Sequence, residues 1–182
     1  MTTAIEDEVL RLVPMSVSLM RALAEGRRED AERELGARIS SEWSLPSDLL
    51  EMRIAQLEAR PLRAGWLLHA VVLKAQDLMI GNVGFHGLPG EHVFEERWPN
   101  VVELGYEIVP GFRRRGYASR AIELLLNWSE TRDTHQVVLS IALDNLASQR
   151  TADKLGFALI EEYEHDVRGR ELLYGLRLPR GG

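Results

Sequence analysis

The feature that most constrains the fold is a strand that passes through a short glycine-containing turn into an amphipathic helix. Val101–Val109 alternates like a strand and is ended by Pro110-Gly111. From Arg115 to about Glu130, apolar residues recur on one helical stripe, namely Ala118, Ala121, Ile122, Leu125 and Trp128. A strand that leads directly into such a helix predicts a domain in which helices pack against a sheet.

The segments before this strand predict helices followed by a hairpin. Val9–Val13 alternates like a short strand. Three helices should follow: one capped by Ser16, a charged one at about Glu29–Arg38, and one that starts at Ser47-Asp48 and ends before Pro61. The predicted hairpin strands are Trp66–Lys74 and Leu78–His86, where Gly81 and Gly84 indicate bulges or close backbone approaches. Leu88–Asn100 contains two prolines and a glycine and is predicted to be an irregular insertion.

The segments after the long helix complete the sheet. Gln136–Leu143 predicts a strand, and Asp144 or Asn145 can cap a short helix that ends at Gly156. The predicted closing hairpin consists of Phe157–His165 and Arg170–Leu178, which turn around Val167-Arg168-Gly169. This order of elements predicts a mixed sheet flanked by helices, an α/β (α+β) fold.

The turn between the strand and the long helix is a candidate binding site. A strand that enters a helix in this way directs unpaired backbone N–H groups at one point, and the helix dipole adds partial positive charge there. Gly116 allows the main chain to approach an anion closely. Three consecutive arginines, Arg113 to Arg115, favour an anion further in a chain of net charge -6. The turn is therefore predicted to bind a phosphate group.

The same residues allow three other interpretations of this turn to be compared. Gly111 and Gly116 have the spacing of a P-loop, but Tyr117 and Ala118 stand where Lys and Ser or Thr must hold phosphates and magnesium. No G-x-G-x-x-G follows any strand, so a Rossmann site is unsupported. A plain turn followed by a solvated helix start is the alternative that the loop alone leaves open.

Three motifs follow one another in the second half of the chain. The loop reads Arg113-Arg114-Arg115-Gly116-Tyr117-Ala118; Glu103–Pro110 precedes it, and Asp144–Arg150 with Lys154–Phe157 follows it. The loop resembles the acetyl-CoA motif Q/R-x-x-G-x-G/A of the GCN5-related N-acetyltransferases (GNAT). Together the motifs resemble the branch of that family that contains ribosomal-protein alanine N-acetyltransferases of RimJ/RimL type. The first sixty or so residues resemble the family only in element order.

The resemblance implies the GNAT fold and acetyl-CoA as co-substrate. The sheet should be mostly antiparallel, with about seven strands, and should splay apart between the strand ending near Val109 and the strand Gln136–Leu143. The pyrophosphate should lie on the backbone amides of the loop, formed by Arg113, Arg114, Arg115, Gly116, Tyr117, Ala118 and Ser119. The pantetheine arm should pair with the backbone at Ile108 and Val109, and a backbone N–H near Val109 should polarise the thioester carbonyl.

Glu103 is the candidate general base for removal of a proton from the attacking amine. It shares a strand face with Gly105 and Glu107, whereas the opposite face is apolar. Gly105 indicates a bulge or a close approach of a ligand, which favours a functional role for Glu103. A water molecule could relay the proton. A solvated strand face is an equally good interpretation of Glu107, so the choice between the two glutamates stays open.

The residue expected to interact with the departing thiolate differs from the residue that is commonest in the family. Many relatives have a tyrosine four residues before the glycine of the Leu-Gly-Phe motif, where this chain has Ala152. The RimJ/RimL-like branch has Asn and Ser instead. The resemblance therefore implies Ser148 as the partner of the thiolate and Asn145 as a contact of the pantetheine. Asn145 could equally be a plain helix N-cap, and Ser148 a small residue of the first helical turn.

Composition excludes several other classes of protein. The chain has 182 residues, of which 45% are hydrophobic, and this predicts a single domain over residues 1–182. No cysteine is present, which excludes a disulfide frame, a thiolate zinc site and a cysteine nucleophile. No metal site is expected either, because metal-ligand spacing is absent among the five histidines, His69, His86, His92, His135 and His165.

Charge and hydropathy restrict the partners and the location. The net charge of -6 argues against nucleic acid and is better suited to a cationic partner. The acidic residues of Glu91–Trp98 could attract such a partner, or they could equally belong to a solvated loop. No signal segment and no apolar run near the roughly 20 residues of a membrane helix are found, so a cytoplasmic protein with no membrane contact is expected. Trp43 and Trp98 lie in irregular segments and are candidate substrate walls. A homodimer is compatible with the sequence, although no residue decides it.

The sequence thus predicts a transferase that moves the acetyl group of acetyl-CoA to a primary amine by direct attack. The acceptor is a protein N-terminus or a small molecule, and the sequence leaves open which amine it is and whether the acyl group is strictly acetyl. The alternative is an acyl-CoA-binding or regulatory module with the same fold and no turnover. The presence of Glu103, Asn145 and Ser148 argues against that alternative.

Overall fold

The computed structural model describes residues 4–132, 134–165 and 169–179, and these form two compact units. The first unit runs up to Gly84 and includes Tyr106–Leu124. The second consists of Phe85–Gly105 and the described residues from Leu125 onward. The single domain expected over the whole chain stays a prediction.

Five α-helices and nine strands are present in the described part of the chain. The helices are α1 (Val17–Ala24), α2 (Arg28–Leu35), α3 (Ser47–Ala59), α4 (Tyr117–Glu130) and α5 (Leu146–Lys154). The strands are β1 (Ile5–Glu6), β2 (Leu10–Pro14), β3 (Arg38–Ile39), β4 (Leu68–Leu73), β5 (Leu78–Phe85), β6 (Val101–Ile108), β7 (Gln136–Ala142), β8 (Ala158–His165) and β9 (Gly169–Arg177). The predicted order of elements is confirmed. The two additional strands, β1 and β3, are only two residues long, too short to show a periodicity in the sequence.

The sheet of the first unit is built around the predicted hairpin. β4 pairs antiparallel with both β2 and β5, β1 pairs antiparallel with β2, and β3 pairs parallel with β5. The hairpin carries a bulge between Val71 and Val72, next to the pair that Val71 forms with Gly81. A Cβ on Gly81 would lie 2.0 Å from the Glu107 carbonyl oxygen, and one on Gly84 would lie 2.3 Å from the Leu67 carbonyl oxygen. Both glycines therefore permit the close backbone approach that the sequence indicated.

The first two helices begin and end for local chemical reasons. The Ser16 side chain accepts a hydrogen bond from the Leu19 N–H at 3.0 Å, so it is the predicted N-cap of α1. α2 ends at Leu35, earlier than predicted. The reason is Gly36, which has a left-handed φ of 66° and donates its N–H to the Glu32 carbonyl. The chain can then enter β3 at Arg38, the residue at which the helix was expected to end.

The sheet of the second unit has the order β6, β7, β9, β8. β6 and β7 are parallel, while β7 with β9 and β8 with β9 are antiparallel, which confirms the closing hairpin. Its predicted turn at Val167-Arg168-Gly169 lies outside the described residues, apart from Gly169. Val101, Val138 and Leu173 form a buried core, against which Phe94, Trp98, Ile160 and Tyr163 pack.

The pairing of β6 with β7 is short. It covers Val101 to Glu103 on β6 and Gln136 to Val138 on β7, although β6 continues to Ile108. Among the described residues, the part of β6 after Glu103 therefore has no ladder partner on β7. The splay of the sheet expected between these two strands stays a prediction.

α4 is the amphipathic helix that the sequence predicted most clearly. Ala121, Ile122 and Leu125 are at most 1% exposed, as the apolar stripe predicts. The helix begins at Tyr117 rather than Arg115, because Arg114 and Gly116 have φ values of 59° and 83°, which lie outside the helical region. In the described ranges, no helix is long and apolar enough to cross a membrane.

A buried histidine in β4 should make the stability of the protein depend on pH. Burial lowers the pKa of His69, which is completely inaccessible to solvent, from 6.5 to about 4. The unfolded chain therefore binds a proton more readily than the folded one between these two values. The free energy of unfolding should be highest above about pH 6.5 and should fall by about 3 kcal/mol as the pH is lowered towards 4.

This expectation is tested by chemical denaturation at several pH values. The variant His69→Gln is the comparison, because Gln has a similar polar reach and does not titrate. The part of the pH dependence that the histidine causes should disappear in the variant. Equal slopes of free energy against pH for both proteins would contradict the assignment.

Candidate active site

The predicted anion loop of the first unit has an open backbone conformation. A 3₁₀ turn, Pro110–Phe112, leads into Arg114 and Gly116, both with positive φ, and then into α4. The first N–H groups of a helix have no acceptor within the helix, so the amides that start at Tyr117 can bind an external group. A Cβ on Gly116 would meet no atom within 4 Å. The surface over these amides is therefore open, which fits a pyrophosphate group.

The three arginines of the loop have different surroundings. Arg113 Nε donates a hydrogen bond to the Ile108 carbonyl oxygen at 2.6 Å, and its guanidinium lies 3.7 Å from the Glu107 carboxylate. Arg114 is exposed, and Arg115 lies with its guanidinium carbon 5.5 Å from the centre of the Phe112 ring. Within the described part of the chain, neither Arg114 nor Arg115 pairs with a carboxylate. These two side chains supply the positive charge of the loop, whereas Arg113 ties the loop to the end of β6.

A fourth arginine near the loop is neutralised within the first unit. Arg120, one turn into α4, forms ion pairs with Asp7 and Glu8 of the N-terminal segment. Burial raises the pKa of Asp7, but hydrogen bonds from the Leu10 and Val9 amides and from Arg120 outweigh it, so the pKa is lowered overall. Arg120 therefore fastens α4 to the N-terminal segment and adds little net charge to the loop.

Glu42 is a partner of the loop that the sequence did not reveal. Its carboxylate accepts a hydrogen bond from the Gly111 N–H at 2.9 Å. A Cβ on Gly111 would lie 2.7 Å from Glu42 Oε1, so the glycine makes room for the contact. Glu42 belongs to an irregular segment far from the loop in sequence, and no periodicity or motif marks it. It braces the turn that precedes the open amides.

The end of β6 requires a correction of the donor that was predicted near Val109. The Val109 N–H donates to the Ile80 carbonyl oxygen at 2.9 Å, and it is therefore not available to a thioester. Backbone groups alternate between the two edges of a strand, so the Ile108 N–H points to the other edge. The Ile108 carbonyl oxygen already accepts the Arg113 side chain. Ile108, rather than Val109, has the N–H on the edge away from β5.

Glu103, in the second unit, has a carboxylate that is nearly removed from water. Its side chain is 12% exposed, and its Oε2 lies 3.1 Å from His86 Nδ1 and 3.2 Å from His92 Nε2. Ser140 of β7 also forms a hydrogen bond with this carboxylate. The alternative of a solvated strand face is therefore wrong for Glu103. A solvated strand face is still a good interpretation of Glu107, which lies in the first unit and has a side chain that is 47% exposed.

The surroundings of Glu103 keep it ionised. Burial alone would raise the pKa of the carboxyl group. The hydrogen bonds from His86, His92 and Ser140, with the charge interaction with His86, outweigh burial and lower the pKa far below its ordinary range. A carboxylate held in this way binds a proton poorly, although it can orient the donors around it.

His86 and His92 are functional candidates that no metal-ligand spacing or other motif of the sequence marked. His86 directly follows β5, and His92 lies in the irregular insertion. Gly105 is the only sequence signal that pointed to them. A Cβ on Gly105 would lie 2.7 Å from His86 Nε2, so the predicted close approach is that of the His86 ring. The glycine leaves space for an imidazole beside Glu103.

A series of hydrogen bonds extends from Glu103 into the interior of the second unit. The Tyr163 hydroxyl of β8 lies 2.8 Å from Ser140 Oγ and 3.1 Å from Glu171 Oε2. Burial raises the pKa of Tyr163, as does Glu171, while the contact with Ser140 acts in the opposite direction. Glu171 of β9 is 4% exposed. Three polar side chains on three strands thus link Glu103 to the interior of the unit.

Asn145 and Ser148 lie at the start of α5, also in the second unit. Asn145 Oδ1 accepts a hydrogen bond from the Ser148 N–H at 3.1 Å, so Asn145 is the N-cap of the helix. The cap uses only Oδ1 and leaves the amide nitrogen of Asn145 as a further donor. Ser148 is half-buried, and Ala152, one turn later, is completely buried. The roles predicted for Asn145 and Ser148 toward acetyl-CoA stay predictions.

Trp43 does not fit its predicted role as a substrate wall. It is 7% exposed, and its indole N–H donates to Asn82 Oδ1 at 2.9 Å within the first unit. The side chain is therefore a satisfied core residue. Trp98 is only partly buried, lies edge-on to Phe94, and has the guanidinium carbon of Arg97 4.2 Å from its ring centre. It packs on the core of the second unit. Across the residues that the structure describes, no group of three His, Asp or Glu side chains could hold a metal ion.

Comparison with known proteins identifies the family. A family model described as an acetyltransferase (GNAT) domain matches residues 10–158. An N-acetyltransferase of Bacillus subtilis, YjdG, which is described as uncharacterized, is 31% identical over 171 residues, or 88% of this chain and 95% of the relative. The chain therefore belongs to the GNAT family, and it is an acetyl-CoA-dependent N-acetyltransferase.

Solved structures confirm the fold. A ribosomal-protein-S5-alanine acetyltransferase from Vibrio fischeri superposes with a TM-score of 0.68 at 17% identity and covers 97% of both chains. RimL, a ribosomal L7/L12 α-N-protein acetyltransferase solved with coenzyme A, superposes with a TM-score of 0.68 at 16% identity, covering 97% of this chain and 98% of its own. The predicted GNAT fold is confirmed, and ribosomal-protein acetyltransferases are among its structural neighbours.

The loop assignment is tested with Gly116→Glu, which should abolish binding of acetyl-CoA. The new carboxylate would stand over the open amides and repel the pyrophosphate. Gly26→Glu is a matched control, since Gly26 has a φ of 72°, near the 83° of Gly116, and a Cβ there also meets no atom within 4 Å. The control should bind acetyl-CoA like the wild type in titration calorimetry. Retained affinity in Gly116→Glu would show that the loop has been misassigned.

Proposed function

We propose that the protein transfers the acetyl group from acetyl-CoA to a primary amine of a protein N-terminus or a small molecule, by direct attack of the neutral amine. The observation that carries this proposal is the open surface at Gly116 beside the start of α4, flanked by the exposed side chains of Arg114 and Arg115. Acetyl-CoA supplies the activated acetyl group. The remaining chemistry belongs to side chains of this protein.

The loop is assigned to the pyrophosphate. The backbone amides of Arg115 to Ser119 form the anion site, because a helix N-terminus combines open donors with a favourable dipole. Arg114 and Arg115 add charge from outside the loop, while Arg113 and Glu42 hold its shape through the Ile108 carbonyl oxygen and the Gly111 N–H. Because the shape is set before binding, little conformational entropy needs to be lost when the anion arrives.

The end of β6 is assigned to the pantetheine arm and the thioester. An extended ligand can pair with a strand edge that has no ladder partner, and the Ile108 N–H points to such an edge. The same N–H is the candidate to stabilise the oxyanion that develops on the thioester carbonyl. Val109 contributes position rather than a donor, since its N–H is bonded to Ile80.

Glu103 is assigned to the removal of the amine proton. Its burial and its hydrogen bonds to His86, His92 and Ser140 support a role in catalysis rather than in solubility. Its lowered pKa favours transfer of the proton through a neighbouring group or a water molecule over direct uptake by the carboxylate. Ser148 is assigned to the departing thiolate, and the amide nitrogen of Asn145 to the pantetheine.

The acidic residues of the insertion bear on the acceptor. Glu91 accepts the Leu88 N–H at 3.0 Å, and Glu95 accepts the Asn100 N–H at 2.8 Å. Both carboxylates therefore brace the insertion, and Glu96 is the exposed one of the three. Glu96 is therefore the candidate among these three to attract a cationic acceptor, such as the amine of a protein N-terminus. Two of the structural relatives are named for acetylation of ribosomal proteins.

The proposal is tested by thiol release from acetyl-CoA with a panel of peptides and small amines, alongside acetyl-CoA titration calorimetry. Turnover on any primary amine supports it. Binding without turnover on every acceptor of the panel would favour a regulatory module. Absence of binding would contradict acetyl-CoA as the co-substrate.

Glu103→Gln should lower turnover by about 100-fold and change acetyl-CoA affinity by less than about twofold. The reason is that the neutral Gln amide cannot stabilise the positive charge on a neighbouring group that accepts the proton, whereas the Glu103 carboxylate can. Glu107→Gln is the matched control on the same strand face and should keep nearly full turnover, because Glu107 is exposed and lies 3.7 Å from Arg113. The opposite ranking of the two variants would assign the role to Glu107.

A further inference from the structure

We propose that Asp7 is a positioning residue for acetyl-CoA, because its ion pair with Arg120 fixes the first turn of α4, where the amides assigned to the pyrophosphate lie. Asp7 precedes Arg120 by 113 positions in the chain, and no sequence motif connects the two. The inference rests on the proposed function and adds a residue that controls the affinity of the same site. It concerns residues of the first unit alone.

The first turn of α4 is closed by Arg120. Its backbone N–H donates to the Gly116 carbonyl oxygen at 3.0 Å, and this bond begins the helix. The amides of Tyr117, Ala118 and Ser119 lie inside this turn and have no acceptor within the helix. The direction in which these amides point therefore depends on where the turn holds Arg120.

The position of Arg120 requires negative charge from another part of the chain. A cation in the first turn of a helix is unfavourable, because the helix N-terminus carries partial positive charge itself. The first turn of α4 contains no acidic residue. Asp7 Oδ2 accepts a hydrogen bond from Arg120 Nε, and Glu8 Oε1 accepts one from a terminal nitrogen of the same guanidinium. The turn between β1 and β2 thus supplies the compensating charge.

Asp7 is held in place independently of Arg120. Its Oδ1 accepts the Val9 N–H at 2.7 Å and the Leu10 N–H at 2.8 Å, while its own N–H donates to the Leu10 carbonyl oxygen at 3.0 Å. Its carbonyl oxygen accepts Lys74 Nζ at 2.9 Å. The side chain is only 18% exposed. Because Oδ1 is fixed by the backbone, Oδ2 has a defined direction before acetyl-CoA binds.

Glu8 contacts the same guanidinium without such support. Its side chain is 76% exposed, and an ion pair of this exposure contributes little to structure. Asp7 and Glu8 are adjacent and carry the same charge. They therefore form a natural pair for separating the effect of position from the effect of charge.

Loss of the Asp7 carboxylate has two effects of opposite sign on the binding of an anion. The potential near the loop becomes more positive, which strengthens binding, but this effect is short-ranged in salt solution. The first turn also loses its anchor, so that binding has to order it, which weakens affinity. A charge-assisted hydrogen bond from a shielded carboxylate outweighs a screened charge effect. The net result should be weaker binding.

The variant Asp7→Asn tests this sign. Its Oδ1 can still accept the Val9 and Leu10 amides, but its amide nitrogen cannot accept a hydrogen bond from Arg120. Acetyl-CoA affinity should fall by about fivefold in titration calorimetry. Glu8→Gln is the matched control, since it removes the same charge from the next residue. It should bind acetyl-CoA within about twofold of the wild type.

A truncated co-substrate separates positioning from general damage to the fold. Acetyl-pantetheine lacks the pyrophosphate, so kcat/KM with it should be equal for Asp7→Asn and the wild type. With acetyl-CoA, KM should rise by about fivefold at unchanged kcat. Should Asp7→Asn fail to fold, Arg120→Lys is used instead. It keeps the positive charge, but a compact ammonium cannot reproduce the planar fork that contacts both carboxylates. The same loss of acetyl-CoA affinity is expected.

Three outcomes would overturn the assignment of Asp7. The first is acetyl-CoA binding by Asp7→Asn that is as tight as in the wild type or tighter. The second is an equal loss of affinity in Glu8→Gln, and the third is an equal loss of kcat/KM with acetyl-pantetheine. In each case the wild type would still bind acetyl-CoA. Failure of the proposed function itself would appear differently, as absence of acetyl-CoA binding by the wild type.

Discussion

The second unit depends on the burial of one carboxylate. A charge that is nearly removed from water is tolerated only where hydrogen-bond donors replace the solvent. Glu103 obtains them from three different elements: His86 after β5, His92 in the insertion and Ser140 on β7. The same contacts connect the irregular insertion to the sheet. Because the buried charge of Glu103 needs these donors, the irregular insertion is held in a defined place beside Glu103 on β6.

Close approach to glycine is the second recurring feature. Gly81 admits a carbonyl oxygen of β6, Gly105 admits the ring of His86, and Gly111 admits the carboxylate of Glu42. At each position a Cβ would lie within 2.7 Å of the neighbouring atom. None of these three glycines needs a positive φ. Their role is to leave space, and two of the three spaces are filled by polar side chains that support the candidate site.

The arginines in and near the loop of the first unit fall into two groups, those that hold the structure and those that are candidates to bind the anion. Arg120 and Arg113 are engaged with acidic side chains and a carbonyl oxygen, and so they fasten α4 and the end of β6. Arg114 and Arg115 remain exposed beside the open amides. A chain with a net charge of -6 can thus present a local anion site, because the range of the field is short in salt solution.

The sequence by itself determined the order of elements and the family, and it predicted the anion loop, since periodicity, caps and short motifs are local properties of the chain. Ser16 and Asn145 cap their helices as predicted, whereas α2 ends at Leu35, before the predicted Arg38, because Gly36 adopts a left-handed conformation. Only the tertiary structure decided the surroundings of Glu103 and the loss of the Val109 donor. The partners of a buried carboxylate and the edge to which an N–H points depend on distances between elements, and spacing along the chain does not encode those distances.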